Sequence, residues 1–562
     1  MNLRRQTWTG LVRKAESVSE ECILPVAAEV TRLKGFPSLR RFGEIRASLP
    51  RLLRSFKVLG FFVTFIALVY VHQSHFNSAT PVSRLDCLHA LVSGGTLAVD
   101  RWRTNTPDLA FANGHYYSDK APGTIVLALP GFLAGCAFLK ASGEQLESKR
   151  GWLITSWTAC AGIALITAFG MIRLSGLLGA LTKLQVGWLT AAAVWFGAAP
   201  LPYSTLLFSH AHVVACISLG LVALSKAYPE VFGLNGFKAW ASNPYERSSR
   251  GNEAQISRPS GSSALPVASR SQREEAYSTK ASKLALAGFA FGWALNSEYT
   301  AGLVVVGILV VIVGRNWGDY RWVSLGMIGP LLLIPLYSWL TVGSPFVLPY
   351  SFQASFPEMK EGLYAIKWPD LATAFNLTFG PARGLFFWSP FLLCAFLGYA
   401  GLLEKSRRLF CLTYLVPVLH LAVISGRVWD WPAGLALGPR YLAPMLPLLA
   451  LPCAFGVQKF PKLSLLAAAY SILITTMATL TNACPPYNSH PNPLFDFHIP
   501  LWLQGEFSPN LGMVLGLTPF ASVALFYFIL LGGIGWLWRA LGREEQTESN
   551  PGPSRSKQVL NT

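Results

Sequence analysis

Charge is what this sequence has least of. Only 13% of its 562 residues are Asp, Glu, Lys or Arg, against 52% hydrophobic residues and a mean hydropathy of +0.40. An ordinary soluble chain carries about 25% charged residues, so a water-soluble multidomain protein is excluded. Cysteine supplies no framework. The nine residues (Cys22, Cys87, Cys136, Cys160, Cys216, Cys394, Cys411, Cys453 and Cys484) are scattered, most within apolar runs, with no CxxC or other ligand spacing. They leave the redox compartment open. Clustered metal ligands are also missing: His72 and His75 sit three apart without a third partner. No cofactor is indicated, though a divalent metal stays compatible with the sequence. A cleavable signal is lacking too, because the first 57 residues are polar and basic and no small-residue cleavage pattern follows the first apolar run. Internal repeats of the kind that mark many transporters are absent.

What is present is a series of apolar runs of roughly 17–25 residues, long enough to cross a hydrocarbon core of about 30 Å as helices that satisfy their own backbone. The expectation is an all-α integral membrane protein. Runs fall near 58–71, 151–172, 186–203, 209–225, 283–297, 299–314, 322–342, 386–403, 409–425, 441–457, 462–481 and 514–538, about twelve helices. The run 121–139 is long enough to join them, but Pro122, Gly123, Pro130, Gly131 and Gly135 break it. If it spans, Arg173, Lys183 and the basic stretch 226–283 all face outside, against the positive-inside bias. If it lies flat at the interface, the basic turns all face inside, and this placement is favoured.

The formal net charge of +18 raises nucleic acid as a partner. The cations lie mostly in loops between apolar runs, however, which membrane topology explains better, so no nucleic-acid partner is expected. The chain then divides into a basic cytoplasmic segment (1–57), a first membrane part (58–225) with a large outer loop (73–150), a disordered cytoplasmic linker (226–282), a second membrane part (283–538) and a cytoplasmic tail (539–562). The linker, through SRPSGSSALPVASRSQREE, has too few apolar residues to fold. Both termini are expected inside a cell membrane.

The first outer loop is unusually dense in polar and aromatic residues. Asp86, Asp100, Asp108 and Asp119 stand beside Arg84, Arg101, Arg103, Lys120, His115, Tyr116 and Tyr117. Carboxylates next to fixed cations at a membrane surface suit a general base working beside a phosphate-bearing ligand. Solvated loop charges are the plainer alternative.

Three segments, HYYSDKAPG (115–123), FGPARGLFFWSPFLL (379–393) and GPRYLAPMLPLLALP (438–452), resemble bacterial membrane proteins of the GT-C glycosyltransferase superfamily. These are relatives of the protein O-mannosyltransferases and of the aminoarabinose transferase that modifies lipid A. The resemblance covers most of 58–538. It implies a GT-C-like bundle with interfacial helices in the first outer loop. The implied activity is an inverting transfer of a hexosyl or pentosyl unit from a polyprenyl-phosphate donor to a lipid, polysaccharide or protein acceptor at the outer face. In such relatives an acidic pair after the first helix, followed closely by an Arg, supplies the base. Arg84 matches that Arg, but Pro81 and Val82 stand where the acids belong. The resemblance therefore leaves Asp100 as first candidate base and Asp86 as second. A Lys-Pro motif that meets donor phosphate resembles 119–122, making Lys120 the candidate phosphate ligand, with Asp119, His115 and Tyr117 around it.

Arg440 and Tyr441, at the outer end of a helix, could add a cation and a ring; a snorkelling arginine is the bland alternative. Glu298 falls between two apolar runs, where an ionisable group is costly unless paired or facing water. His210 and His212 stand where relatives use an acid, and a packed pair is the expectation. The rival function is a polytopic transporter or a flippase of lipid-linked sugars, which would bury ionisable sites near mid-bilayer. Apart from Glu298 the helices are nearly free of charge, which favours surface chemistry.

Overall fold

A computed structural model describes residues 56–234, 270–360, 366–486 and 488–549. Nearly all of the expected N-terminal segment 1–57, the middle of the expected linker (235–269) and the end of the tail (550–562) lie outside the described residues. The principal helices are α1 (Phe56–Val69), α2 (Ala79–Gly94), α3 (Gly123–Ser142), α4 (Lys149–Leu181), α5 (Leu184–Phe196), α6 (His210–Ala227) and α7 (Arg270–Ser297). They continue with α8 (Ala301–Ile312), α9 (Trp317–Val342), α10 (Cys394–Lys405), α11 (Arg407–Ser425), α12 (Leu446–Lys459), α13 (Pro461–Thr481) and α14 (Pro519–Ser549). Among the described residues, 8 helices are long and apolar enough to cross a membrane, and α1, α5 and α8 are shorter apolar helices. Length and composition alone do not fix the expected count of about twelve. One reason is visible at 386–403, where Ser389-Pro390 breaks the expected span into Leu385–Trp388 and α10.

Helix α3 is long and apolar enough to span. A Cβ added at Gly131 would stand 2.2 Å from the Thr158 carbonyl oxygen, and one at Gly135 2.4 Å from the Thr158 hydroxyl, so two glycines admit the backbone of α4. This antiparallel register lays α3 along the first half of α4 only. At 33 residues, α4 is about 50 Å long, well beyond a hydrocarbon core of about 30 Å. The start of α3, at Gly123, touches Asn296 and Ser297 at the end of α7, and its last turn returns to the start of α4.

The polar groups separate by end. At one end Gln185 Nε2 donates to the Trp538 carbonyl, Lys283 Nζ to the Lys226 carbonyl and the Ser406 hydroxyl to the Val231 carbonyl. Lys280 and Tyr228 both donate to Asp319 there. These basic junctions are the turns expected to share a face. Arg173 differs: α4 runs straight through it to Leu181, because no Gly-Pro break intervenes, so it lies within the helix rather than in the expected turn. The linker also differs. Helix begins at Arg270, earlier than the expected boundary of 282, because RSQREEAYSTKASK holds good helix formers and neither Gly nor Pro.

The fold is not wholly α. Strands β1 (Leu109–Ala112) and β2 (His115–Ser118) pair antiparallel, with Leu109 opposite Ser118 and Ala112 opposite His115. The sequence dictates this. Asn113 (φ 53°) and Gly114 (φ 83°) both take the left-handed conformations of a two-residue type I′ turn, which Asn-Gly favours. Behind the hairpin, Leu85, Leu88, Val99, Leu109, Ile125, Phe132 and Ile163 form one buried cluster joining α2, the hairpin, α3 and α4. Each such side chain contributes about 1.5–3 kcal/mol on burial, which holds the hairpin against the three helices.

Candidate functional site

A cavity of about 680 Å³ opens at the end of the bundle opposite the basic junctions. Its walls come from the start of α2, the segment before β1, Lys120 just past β2, the α7–α8 turn, the end of α11 and the 426–441 segment. Part of the lining is apolar, including Leu303 of α8 and Val423 and Ile424 of α11. Four cations, Arg84, Lys120, Arg427 and Arg440, face it and are each more than nine-tenths buried.

The hairpin register assembles the centre. Asp108 immediately precedes β1, and Asp119 and Lys120 follow β2, so the pairing of Leu109 with Ser118 brings them together. Lys120 Nζ lies 3.0 Å from Asp108 Oδ2 and 3.2 Å from Asp119 Oδ2, and 5.1 Å above the Tyr350 ring. Thr80 donates to the same Asp108 Oδ2 at 2.7 Å, and Gln353 donates to Asp119 Oδ2 at 2.9 Å. Burial would lower the Lys120 ammonium, but the two carboxylates raise it well above its ordinary value. For Asp108, burial pushes upward, yet Lys120 and the Thr80 hydroxyl prevail and hold it below the usual range. For Asp119, burial wins and pushes it up to about 6 against Lys120. At neutral pH a fixed ammonium and an ionised Asp108 therefore stand side by side.

Glu298, in the α7–α8 turn, accepts from Ser209 at 2.7 Å and Thr300 at 3.1 Å and lies 3.6 Å from His210 Nε2. Burial pushes its carboxyl up, but His210, the Ser209 hydroxyl, Arg84 and Arg440 hold it below the usual range. A second group surrounds Tyr441, whose hydroxyl donates to Asp430 at 2.9 Å. The Arg427 and Arg440 guanidiniums lie 4.8 and 5.1 Å from its ring centre, and Arg427 also donates to Asp430. The Nε atoms of Arg84, Arg427 and Arg440 are buried with no hydrogen-bond partner among the described residues. A donor left so costs about 1–3 kcal/mol, a penalty that an anion entering the cavity would remove.

Lys120, Glu298, Arg440 and Tyr441, marked from sequence, thus meet at one cavity, with Asp119 bonded to Lys120 behind it. The other marked residues lie elsewhere. Asp100 is at the surface, accepting from the Tyr116 amide at 2.8 Å and pairing with His115 at 2.7 Å. Asp86, on α2, does not itself line the cavity but accepts at 3.0 Å from Asn105, which does; burial pushes its carboxyl up to about 7. Tyr117 is buried opposite Ala110 in the hairpin. His210 and His212 are buried at the start of α6, and only His210 faces the cavity. His72 and His75 stack on each other 5.8 Å apart. Among the described residues no group of three or more His, Cys, Asp or Glu could hold a metal.

Sequence reasoning named Asp108 among the acids of the loop without singling it out, and missed Thr80, Tyr350, Gln353, Arg427 and Asp430. The spacing Arg427-x-x-Asp430 was a readable signal. Tyr350 and Gln353 gave none, since they reach the hairpin from a loop more than 200 residues further along the chain.

Fold and site together define a multi-pass helical membrane protein with a charged cavity at one end of its bundle. No family model and no curated protein matches the chain. Among solved structures it is similar to ArnT from Cupriavidus metallidurans bound to undecaprenyl phosphate, at 15% identity and a TM-score of 0.40, covering 90% of this chain and 80% of that one. The apo form of ArnT gives 13% identity and a TM-score of 0.42 over the same shares. The oligosaccharyltransferase AglB from Archaeoglobus fulgidus, in complex with an inhibitory peptide and a dolichol-phosphate, gives 11% identity and a TM-score of 0.39, covering 81% of this chain and 56% of that one.

Proposed function

We propose that the protein is a glycosyltransferase that moves a sugar from a polyprenyl-phosphate donor to a hydroxyl acceptor at the outer face of a cell membrane. The observation that carries this reading is the double character of the cavity, with apolar helix side chains on one part and buried cations on another. A lipid phosphate needs both. Orientation follows the positive-inside bias, with the cavity outside and the basic junctions in the cytoplasm.

Lys120 and Arg440 hold the donor phosphate, and Arg84 adds charge behind them. Asp108 is the base, because of the first-loop acids Asp86, Asp100 and Asp108 it alone lines the cavity. Its partner Thr80 directly precedes Pro81, so its carboxylate reaches the position where related sequences carry their acidic pair. In the reaction the acceptor oxygen attacks the anomeric carbon and gives its proton to Asp108. The bond from that carbon to the phosphate oxygen breaks on the opposite face, with inversion, and its electron pair leaves with the polyprenyl phosphate. The fixed cations stabilise that added charge without reorganising. The hexosyl or pentosyl identity of the sugar and the lipid, polysaccharide or protein nature of the acceptor are outcomes of the test.

The test is polyprenyl phosphate release by purified protein in lipid, with a panel of polyprenyl-phosphate sugars and candidate acceptors. Release that vanishes in Asp108→Asn supports the reading. Donor movement between leaflets without release would replace it with a flippase.

A further inference from the structure

The segment between α11 and α12 forms one wall of the cavity through Ala433, Gly434 and Leu435, yet the segment 432–438 belongs to no helix or strand. Carbonyls outside regular structure need other donors when buried. Here side chains supply them: Ser78 donates to the Leu435 carbonyl at 3.0 Å, Tyr203 to Leu437 at 2.6 Å, and Arg383 to two others. Arg383 is fully buried, and its Nε and Nη2 reach the carbonyls of Pro432 and Gly434, both at 2.9 Å. Those two carbonyls flank Ala433, which has φ 58°. An L-residue other than glycine pays for that left-handed conformation through contact of its Cβ with the backbone, and holds it only where its surroundings enforce it.

We infer that Arg383 is a positioning residue for the cavity: its guanidinium fork grips the carbonyls on either side of Ala433 and keeps that strained turn in the shape that forms the cavity wall. This rests on the glycosyltransferase reading only for what the cavity binds. Arg383 does not line the cavity, so it acts through the segment 432–435. The planar fork matters more than the charge, because a lysine ammonium is a point donor with no fixed pair of directions.

The experiment compares wild type, Arg383→Lys, Ala433→Gly and the double variant, each purified as the full chain in lipid. Two readouts are taken: amide hydrogen exchange over 427–438, and binding of a short-chain polyprenyl phosphate. Arg383→Lys is expected to speed exchange in this segment and weaken binding about tenfold. Glycine takes positive φ freely, so the cost of Arg383→Lys should shrink to within about threefold in the Ala433→Gly background. Equal costs in both backgrounds would overturn the inference and leave Arg383 as general support for the fold. If no protein binds polyprenyl phosphate while the exchange pattern follows expectation, the functional reading fails and the role of Arg383 stands.

Discussion

Two lysines at opposite ends of the bundle keep similar company. Lys280 lies 2.6 Å from Asp319 and 4.4 Å above the Tyr228 ring. Lys120 has Asp108, Asp119 and the Tyr350 ring. The differences decide their roles. Lys280 is one-third exposed, has one acid, and joins α7 to the start of α9. Lys120 is buried, has two acids and fronts a cavity with three arginines. A lysine–carboxylate–tyrosine group is therefore not by itself a site. What makes one is surplus positive charge facing space that a ligand can enter.

The largest effect that would break this comparison is on catalysis. Lys120→Met should reduce polyprenyl phosphate release by roughly 100-fold or more, as loss of a preorganised charge does, whereas Lys280→Met should leave kcat within about twofold. Comparable losses in the two would erase the distinction between the ends. Next comes the base: Asp108→Asn should cost roughly 100-fold or more in kcat, and Asp100→Asn less than about threefold. The reverse order would restore the surface carboxylate as base.

A smaller effect is on stability. Lys280→Met leaves the Asp319 carboxylate with the Tyr228 hydroxyl alone and should cost about 1–3 kcal/mol, read as a lower melting temperature in detergent; no shift would mean the basic junction holds nothing together. The smallest depends on pH. Asp86 titrates near 7 when folded, above the ordinary carboxylate range, so it favours the folded state at acid pH, and that advantage is lost as pH rises through about 7. Asp86→Asn should therefore raise the melting temperature at pH 8 and change it little at pH 4. An equal shift at both values would show that Asp86 is not held neutral.

The separation of the two ends was legible because Lys and Arg mark turns: the contacts of Lys280 and Lys283 gather at one end, although Arg173 lies within α4. Asn113-Gly114 announces the hairpin, but the resemblance implies interfacial helices in the first loop and so points away from it. The consequence carries over to the site. In sequence Asp100 and Asp108 are both acids of the same loop, and only strand pairing shows which of them meets Lys120. Tyr350, Gln353 and Arg427 come from distant loops, where no local periodicity encodes their meeting.

The type I′ turn at Asn113-Gly114 sets more than the shape of a loop tip. It acts as a ruler: with four residues in each strand and two in the turn, the chain measures off the separation that returns Lys120 to Asp108. An insertion or deletion of one residue there would slip the register and turn every hairpin side chain to the other face. Such a change touches no residue of the cavity, yet it would dismantle the ion pair at its centre. A natural variant altered at this exposed tip should therefore be read as a change to the site itself.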